Sequence, residues 1–163
     1  MSRSVGGSLS PELRERLSQR ALSTKAGTAI PLITVDTNGR PHPMLVSYVE
    51  LRAYDASTVG LVIRAGSGSA HNLARAAVAT IALIEPDLVA YIKLRRVDGP
   101  LAVVEDERLA YFLLEVEDVR EDTSPPEEAG ARIVSSLRYE PVDLASAWAR
   151  ATLAALAQPR ARA

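Results

Sequence analysis

The chain has 163 residues, with 19 lysines and arginines against 20 acidic residues, and its net charge is −1. This balance argues against binding to nucleic acid or to a membrane surface through bulk charge, so we expect neither partner. The absence of cysteine excludes disulfides, thiolate nucleophiles and cysteine-bound metals.

We expect one domain over residues 1–163, because a domain usually holds about 100–200 residues. No apolar run approaches the roughly 20 residues that span a bilayer. The first residues also lack the apolar centre of a secretory signal. These features predict a cytoplasmic protein.

The N-terminal region is expected to hold a flexible tail over residues 1–8 and a helix over residues 9–22. Ser10, Pro11 and Glu12 form a typical helix start, with proline at the first helical position and an acid near the positive end of the helix dipole. An apolar face follows at fourfold spacing, made of Leu13, Leu17 and Ala21.

Residues 28–120 are expected to form the barrel. Asn38 and Gly39 favour a tight hairpin turn between two strands, and a third strand ends near Arg64. A short helix is predicted over residues 69–75, and Asp98, Gly99 and Pro100 are interpreted as a second hairpin turn. The predicted strands cover residues 28–36, 40–54, 58–64, 77–85, 88–97, 101–105 and 109–119.

Several of these strands lack a clean alternation of polar and apolar residues. Residues 78–84 are apolar on both sides, as are most of residues 44–51, which is typical of strands buried on both faces. The pattern predicts a small antiparallel barrel with peripheral helices that dimerises through strand surfaces. A C-terminal strand and helix are expected over residues 132–158, with Asp143 capping the helix.

The loop before the short helix is the segment most suited to binding an anion. A loop of small residues that opens a helix leaves backbone amides unpaired at the positive end of the dipole. Ser67 and Ser69 could donate from their hydroxyls, and Gly68 lets a phosphate approach the backbone. The same residues also fit an ordinary loop with a serine cap, and this alternative stays open.

Two other sets of residues were considered as ligands. Lys93 and Arg95 lie on one face of their strand and suit a phosphate or an acidic ligand tail, although a solvated strand face is the commoner explanation of such a pattern. The two histidines, His42 and His71, show no metal-ligand spacing, so no metal site is expected.

In order along the chain, "LITVDTNGRPH", "VGLVIRAGSGSAHNLARAAVATIALIEPD" and "VDGPLAVVED" resemble the pyridoxamine 5′-phosphate oxidase-like family, the flavin-binding split barrels. The resemblance covers about residues 28–105. It implies a mainly β fold, a six-stranded antiparallel split barrel, and a homodimer with flavin mononucleotide (FMN) held at the interface between the subunits.

The resemblance also implies which residues hold the cofactor. Val46 and Ser47 would contact the flavin ring or the ribityl chain, and Lys93 is a further candidate ligand. The implied phosphate site is the end of the third strand and the loop after it, namely Ile63, Arg64, Ser67, Gly68 and Ser69.

The sequence departs from the oxidase pattern at several basic positions. Gly68 and Ser69 replace two basic residues, and Met44 and Val49 stand where the oxidase has an arginine and a lysine. The pyridoxal-phosphate contacts of the oxidase are not recognisable in the C-terminal region, so vitamin B6 oxidation is not expected. No catalytic residue is identified. One hypothesis is an oxidoreductase that uses FMN, or a deazaflavin, for hydride transfer to a small molecule. The other is a non-catalytic split-barrel dimer that binds a deazaflavin, a nucleotide-like ligand or another anion.

Overall fold

The computed structural model describes residues 2–122 and 132–161. Within these residues the strands are β1 (Ser2–Gly6), β2 (Ala29–Val35), β3 (Pro41–Ser47), β4 (Leu51–Ala53), β5 (Thr58–Arg64), β6 (Val78–Glu85), β7 (Leu88–Ala102) and β8 (Leu109–Asp122). The helices are α1 (Pro11–Arg16), α2 (Leu22–Lys25), α3 (Gly68–Ala76) and α4 (Ala147–Ala155).

The strands form one curled antiparallel sheet. Its order is β3-β2-β6-β7-β8-β5-β4, and β1 pairs with β8 beside this path. β3 and β4 are at opposite ends of the order, yet only residues 48–50 separate them. Because four Cα steps span at most about 14 Å, the sheet must curl until its two ends approach. The predicted fold class is confirmed, with eight strands in the described residues instead of six.

The predicted hairpin at Asn38 and Gly39 is confirmed, and it joins β2 to β3. The Asp36 Oδ1 atom accepts hydrogen bonds from the amides of Asn38 at 2.8 Å and Arg40 at 2.9 Å, which fixes the turn. β3 lies at an end of the sheet order. Its two prolines are therefore tolerated, because an edge strand has amides that need no ladder partner.

The prediction of a single strand over residues 40–54 is wrong. β3 ends at Ser47, and the Glu50 carboxylate accepts hydrogen bonds from the amide and the hydroxyl of Ser47 at 2.7 and 2.9 Å. The Glu50 carbonyl then accepts from the Val62 amide of β5 at 3.0 Å. These hydrogen bonds stabilise the turn by which the chain passes from β3, at one end of the sheet order, to β4, at the other.

The predicted hairpin at residues 98–100 is also wrong, because β7 continues through these residues. Its pairing with β8 shifts register between Asp98 and Leu101, so the segment is a bulge and not a turn. Gly99 has a φ of +98°, and a Cβ there would lie 2.5 Å from the Tyr111 carbonyl oxygen of β8. Only glycine fits this close approach of two backbones.

The N-terminal tail expected over residues 1–8 is largely a strand. Residues 2–6 form β1 and pair with the end of β8, and the Ser4 hydroxyl donates to Asp118 at 2.6 Å. The sequence of this segment lacks the apolar alternation that would have identified it.

The helix predicted over residues 9–22 is shorter than expected. Ser10 caps it as predicted, accepting from the Leu13 amide at 3.2 Å, but α1 ends at Arg16. Positive φ angles at Gln19 and Ala21 then separate α1 from α2. The Arg16 guanidinium holds the end of α1 on the barrel through ion pairs with Glu85 and, at 2.6 Å, with Asp87.

The core has two parts on opposite faces of the sheet. The larger part fills the barrel, and α3 contributes Ala70 and Leu73 to it. The smaller part lies where α4 covers β5 and β8, with Trp148 packed against its edge. Both helices therefore bury an apolar face against the sheet, which is the main source of helix stability in proteins.

The C-terminal segment forms no strand over residues 132–140, contrary to expectation. Instead residues 137–142 lie along residues 26–29, joined by one isolated bridge and three backbone hydrogen bonds of 2.8–3.1 Å. Ser146 caps α4 and accepts from the Ala149 amide at 3.2 Å, so Asp143 is not the cap. Part of the preceding polar loop, residues 123–131, is outside the described residues.

Replacing Leu73 with alanine tests how much the barrel depends on α3. Leu73 has no solvent exposure, so its truncation should lower the free energy of unfolding by about 2–5 kcal/mol. Urea denaturation measures this change. Val104→Ala is the control, because Val104 is 87% exposed and its truncation should change stability by less than about 0.5 kcal/mol. Equal effects would show that α3 is not packed as described.

Candidate functional site

The first turn of α3 presents unpaired hydrogen-bond donors. Ser67 is the N-cap, and its side chain accepts from the Ala70 amide at 3.1 Å. Gly68 and Ser69 are the first two helical residues, so their amides have no partner within the helix, and no other described residue accepts from them. The Ser69 hydroxyl is buried and also lacks a described partner. This cluster of free donors is where an anion would bind.

A buried chain of hydrogen bonds joins α3 to the β2–β3 hairpin. The Asn72 side chain donates to the Thr34 hydroxyl at 3.1 Å, and that hydroxyl donates to the His42 carbonyl at 3.3 Å. At the end of the helix, the Arg75 guanidinium donates to the carbonyls of Val35 and Asp36 at 2.8 and 2.6 Å. The hairpin and the helix are thus held together at two points.

The His42 imidazole lies against the start of α3. A Cβ atom at Gly68 would be 3.0 Å from His42 Nε2 and 3.2 Å from Cε1. Sequence reasoning did not connect these residues, which are 26 positions apart. The signal was present in the hairpin register, because His42 pairs with Thr34 and alternates with Met44 and Val46, whose side chains pack toward the core.

The structure brings four of the predicted site residues together. The Ser67 amide donates to the Arg64 carbonyl at 3.0 Å, so the end of β5 and the start of α3 form one tight loop. The Arg64 side chain is exposed, and its charge acts on Asp106 nearby. The four residues are Arg64, Ser67, Gly68 and Ser69.

The remaining predicted residues are arranged differently. Val46 and Ile63 are fully buried in the barrel core, and Ser47 is also inaccessible to solvent. Lys93 alternates with the core residues Ile92 and Leu94 on β7, so it points to the outer face of the sheet. The described conformation therefore exposes neither Val46 nor Ser47 to a ligand, and it separates Lys93 from α3.

Lys93 and its neighbours form an ion-pair ladder across β7 and β8. Lys93 Nζ lies 3.6 Å from the Asp118 carboxylate, and Arg95 pairs with Glu115 and Glu117. Next to the ladder is a mainly apolar cavity of about 260 Å³ on the outer face of β2, β6 and β7. Its lining includes Ile33, Val35, Val78, Thr80 and Lys93.

A half-buried carboxyl, that of Glu50, lies where the chain turns from β3 to β4. Burial raises the pKa of Glu50 to about 7, while its hydrogen bonds from Ser47 act in the opposite direction. Burial raises the pKa of the Tyr139 hydroxyl, and Ser47 and Glu50 lie close enough to act on it. The C-terminal segment therefore comes close to Ser47, a proximity that the sequence did not predict.

No cluster of three or more His, Asp or Glu residues with metal-binding potential occurs in residues 2–122 and 132–161. Over the same residues, no helix has the length and apolar character needed to cross a membrane.

Comparison with solved structures identifies the fold. A candidate pyridoxamine 5′-phosphate oxidase from Lactobacillus delbrueckii is 16% identical over 72% of this chain and 98% of its own, with a TM-score of 0.54. A candidate flavin reductase with a split barrel domain from Shewanella frigidimarina is 15% identical over 82% of this chain and 91% of its own, with a TM-score of 0.52. An FMN-binding protein from Syntrophomonas wolfei is 12% identical over 70% and 91%, with a TM-score of 0.51.

No family model matches the sequence, and no curated protein matches it. At such low identities the solved structures show the fold alone. The chain has the split-barrel fold found in flavin-binding proteins, and the resemblance seen in the sequence is confirmed at this level.

The hydrogen-bond donors at the start of α3 suit the phosphate of FMN. Two free amides and the buried Ser69 hydroxyl lie in the first turn of α3, and Arg64, with an exposed side chain, is three residues before its cap. The site has less positive charge than the oxidase pattern, because the side chains of Gly68 and Ser69 are uncharged. The residues present can therefore hold a phosphate through backbone donors.

The pKa of Glu50 predicts a pH dependence of stability. The folded chain binds this proton more tightly than an ordinary glutamate with a pKa of 4.5 does, so the stabilisation is complete below that pH. It is lost as the pH rises to about 7. Glu50→Gln should remove this decline in unfolding free energy, measured by urea denaturation at several pH values. Glu105→Gln, at an exposed position, is the control, and an unchanged profile in Glu50→Gln would contradict the prediction.

Proposed function

We propose that this protein is an oxidoreductase that binds FMN, with the phosphate at the start of α3. The observation that carries the proposal is the set of unpaired donors at Gly68 and Ser69 on a split-barrel fold. Ser67 fixes the first helical turn, and Arg64 adds a positive charge beside it. A helix start of this kind favours an anion through its free amides and its dipole.

When bound, the flavin ring would supply the hydride chemistry, and the protein would supply binding, orientation and exclusion of water. The residues of α3 and the preceding loop hold the phosphate end. Val46 and Ser47 remain the proposed ring-side residues, and both are buried in the described conformation. The substrate is a small molecule, and we assign no catalytic residue.

A homodimer with the cofactor at the subunit interface is part of the proposal. Two observations support the dimer itself. Leu45 on the edge strand β3 is 49% exposed and Val78 on β6 is 38% exposed, and an apolar cavity lies on the outer face of the same sheet. Exposed apolar surface of this kind favours association with a second subunit. The cytoplasmic location expected from the sequence remains a prediction.

A second function is favoured by the missing charges. With Met44, Val49, Gly68 and Ser69 in place of basic residues, the site holds a phosphate less tightly than the oxidase pattern would. The protein would then be a non-catalytic dimer that binds a deazaflavin, a nucleotide-like ligand or another anion.

Titration with FMN and with riboflavin, which lacks the phosphate, tests the proposal. The protein should quench FMN fluorescence and bind FMN more tightly than riboflavin. In Arg64→Ala/Ser67→Ala, FMN affinity should fall by about 10-fold to 100-fold, because the charge-assisted hydrogen bond lost with Arg64 is worth about 1.5–3 kcal/mol. Riboflavin affinity should not change.

The matched control is Ser146→Ala/Arg150→Ala, which removes the corresponding cap and an arginine from α4. It should leave both affinities unchanged. If the protein binds a deazaflavin but not FMN, the cofactor assignment is wrong. If it binds neither, the second function is supported over the first.

A further inference from the structure

We propose that the His42 imidazole is a ligand of the phosphate bound at the start of α3. The inference rests on the proposed function and adds to it a residue from a different strand. His42 would provide the second side of a site whose first side is the free amides of Gly68 and Ser69. It would compensate in part for the basic residues that the loop lacks.

The position of the His42 imidazole supports this role. His42 Nε2 would lie 3.0 Å from a Cβ at Gly68, so the ring occupies the space that any larger residue would fill. No positive φ is recorded at Gly68. The need for glycine at this position therefore comes from the approach of the imidazole and not from the backbone conformation.

The hydrogen-bond donors at the start of α3 lack partners in the part of the chain that the structure describes. In the described residues, the amides of Gly68 and Ser69 and the Ser69 hydroxyl have no hydrogen bond. Ser69 is only 1% exposed, and a buried hydroxyl without a partner costs free energy. A phosphate oxygen at this point would satisfy several donors together. An imidazole N–H within reach of the same loop would add one more.

Hydrogen bonds hold the backbone of His42 in place. Its carbonyl accepts from Thr34, which in turn accepts from Asn72 of α3. Thr34 and Asn72 are both buried, so the helix itself fixes the distance between its start and the imidazole. Asn72 and Thr34 are positioning residues in this arrangement, whereas His42 contacts the ligand.

The test compares FMN and riboflavin binding in His42→Gln and in His71→Gln. His71 is the only other histidine of the chain, and its side chain is exposed on α3. We expect His42→Gln to weaken FMN binding by about tenfold and to leave riboflavin binding unchanged. His71→Gln should change neither affinity.

A second measurement does not depend on the stability of a variant. Because the chain has two histidines, the ring signals of His42 can be assigned by NMR with the His71→Gln protein. These signals should shift on addition of FMN but not of riboflavin.

The outcomes separate this inference from the proposed function. If FMN binds more tightly than riboflavin but His42→Gln retains that preference, His42 is not a ligand and the proposed function stands. Ring signals that do not shift with bound FMN would lead to the same conclusion. If the unmodified protein binds FMN no better than riboflavin, the phosphate site itself is wrong and both proposals fail.

Discussion

The attachment of α3 to the β2–β3 hairpin is the constraint on which the candidate site depends. Leu73 packs into the barrel core and anchors the helix there. The hydrogen bond of 3.1 Å from the Asn72 side chain to the Thr34 hydroxyl holds the helix against the inner side of β2. A buried polar pair such as this costs free energy unless both partners are satisfied. The helix therefore has one position in which its apolar and polar contacts are both met, and in that position its free amides lie beside His42.

The energetics of the site indicate how tightly it can hold a phosphate. A helix start typically stabilises an anion by about 0.3–1 kcal/mol. The loss of two charge-assisted contacts costs about 3–6 kcal/mol, or roughly a 100-fold to 10,000-fold change in affinity. Arg64 and His42 can restore only part of this. If FMN binds as proposed, we therefore expect it to exchange with solution and not to be a permanently bound prosthetic group.

The sequence predicted the parts of the fold that depend on local signals. The turn at Asn38 and Gly39 and the Ser10–Pro11 start of α1 are each specified within four residues, and the structure contains both. The predictions failed where distant contacts decide the outcome. Residues 98–100 have the composition of a turn, but the approach of β8 makes them a bulge.

The residues of the candidate site also differ in whether the local sequence identifies them. Arg64, Ser67, Gly68 and Ser69 are neighbours in sequence and could be found together. His42 could be found only by combining the hairpin register with the position of a helix 26 residues later. Glu50 shows no local pattern, because its environment depends on a turn between opposite ends of the sheet and on a C-terminal segment that comes close to Ser47.

The central claim is that the start of α3 receives the phosphate, and the backbone amides of Gly68 and Ser69 report on it directly. Their ¹H–¹⁵N NMR signals should shift on addition of FMN and stay in place on addition of riboflavin. If these two signals do not move while those of Ile33 and Thr80 in the outer cavity do, the ligand binds on the opposite face of the sheet and the account is wrong.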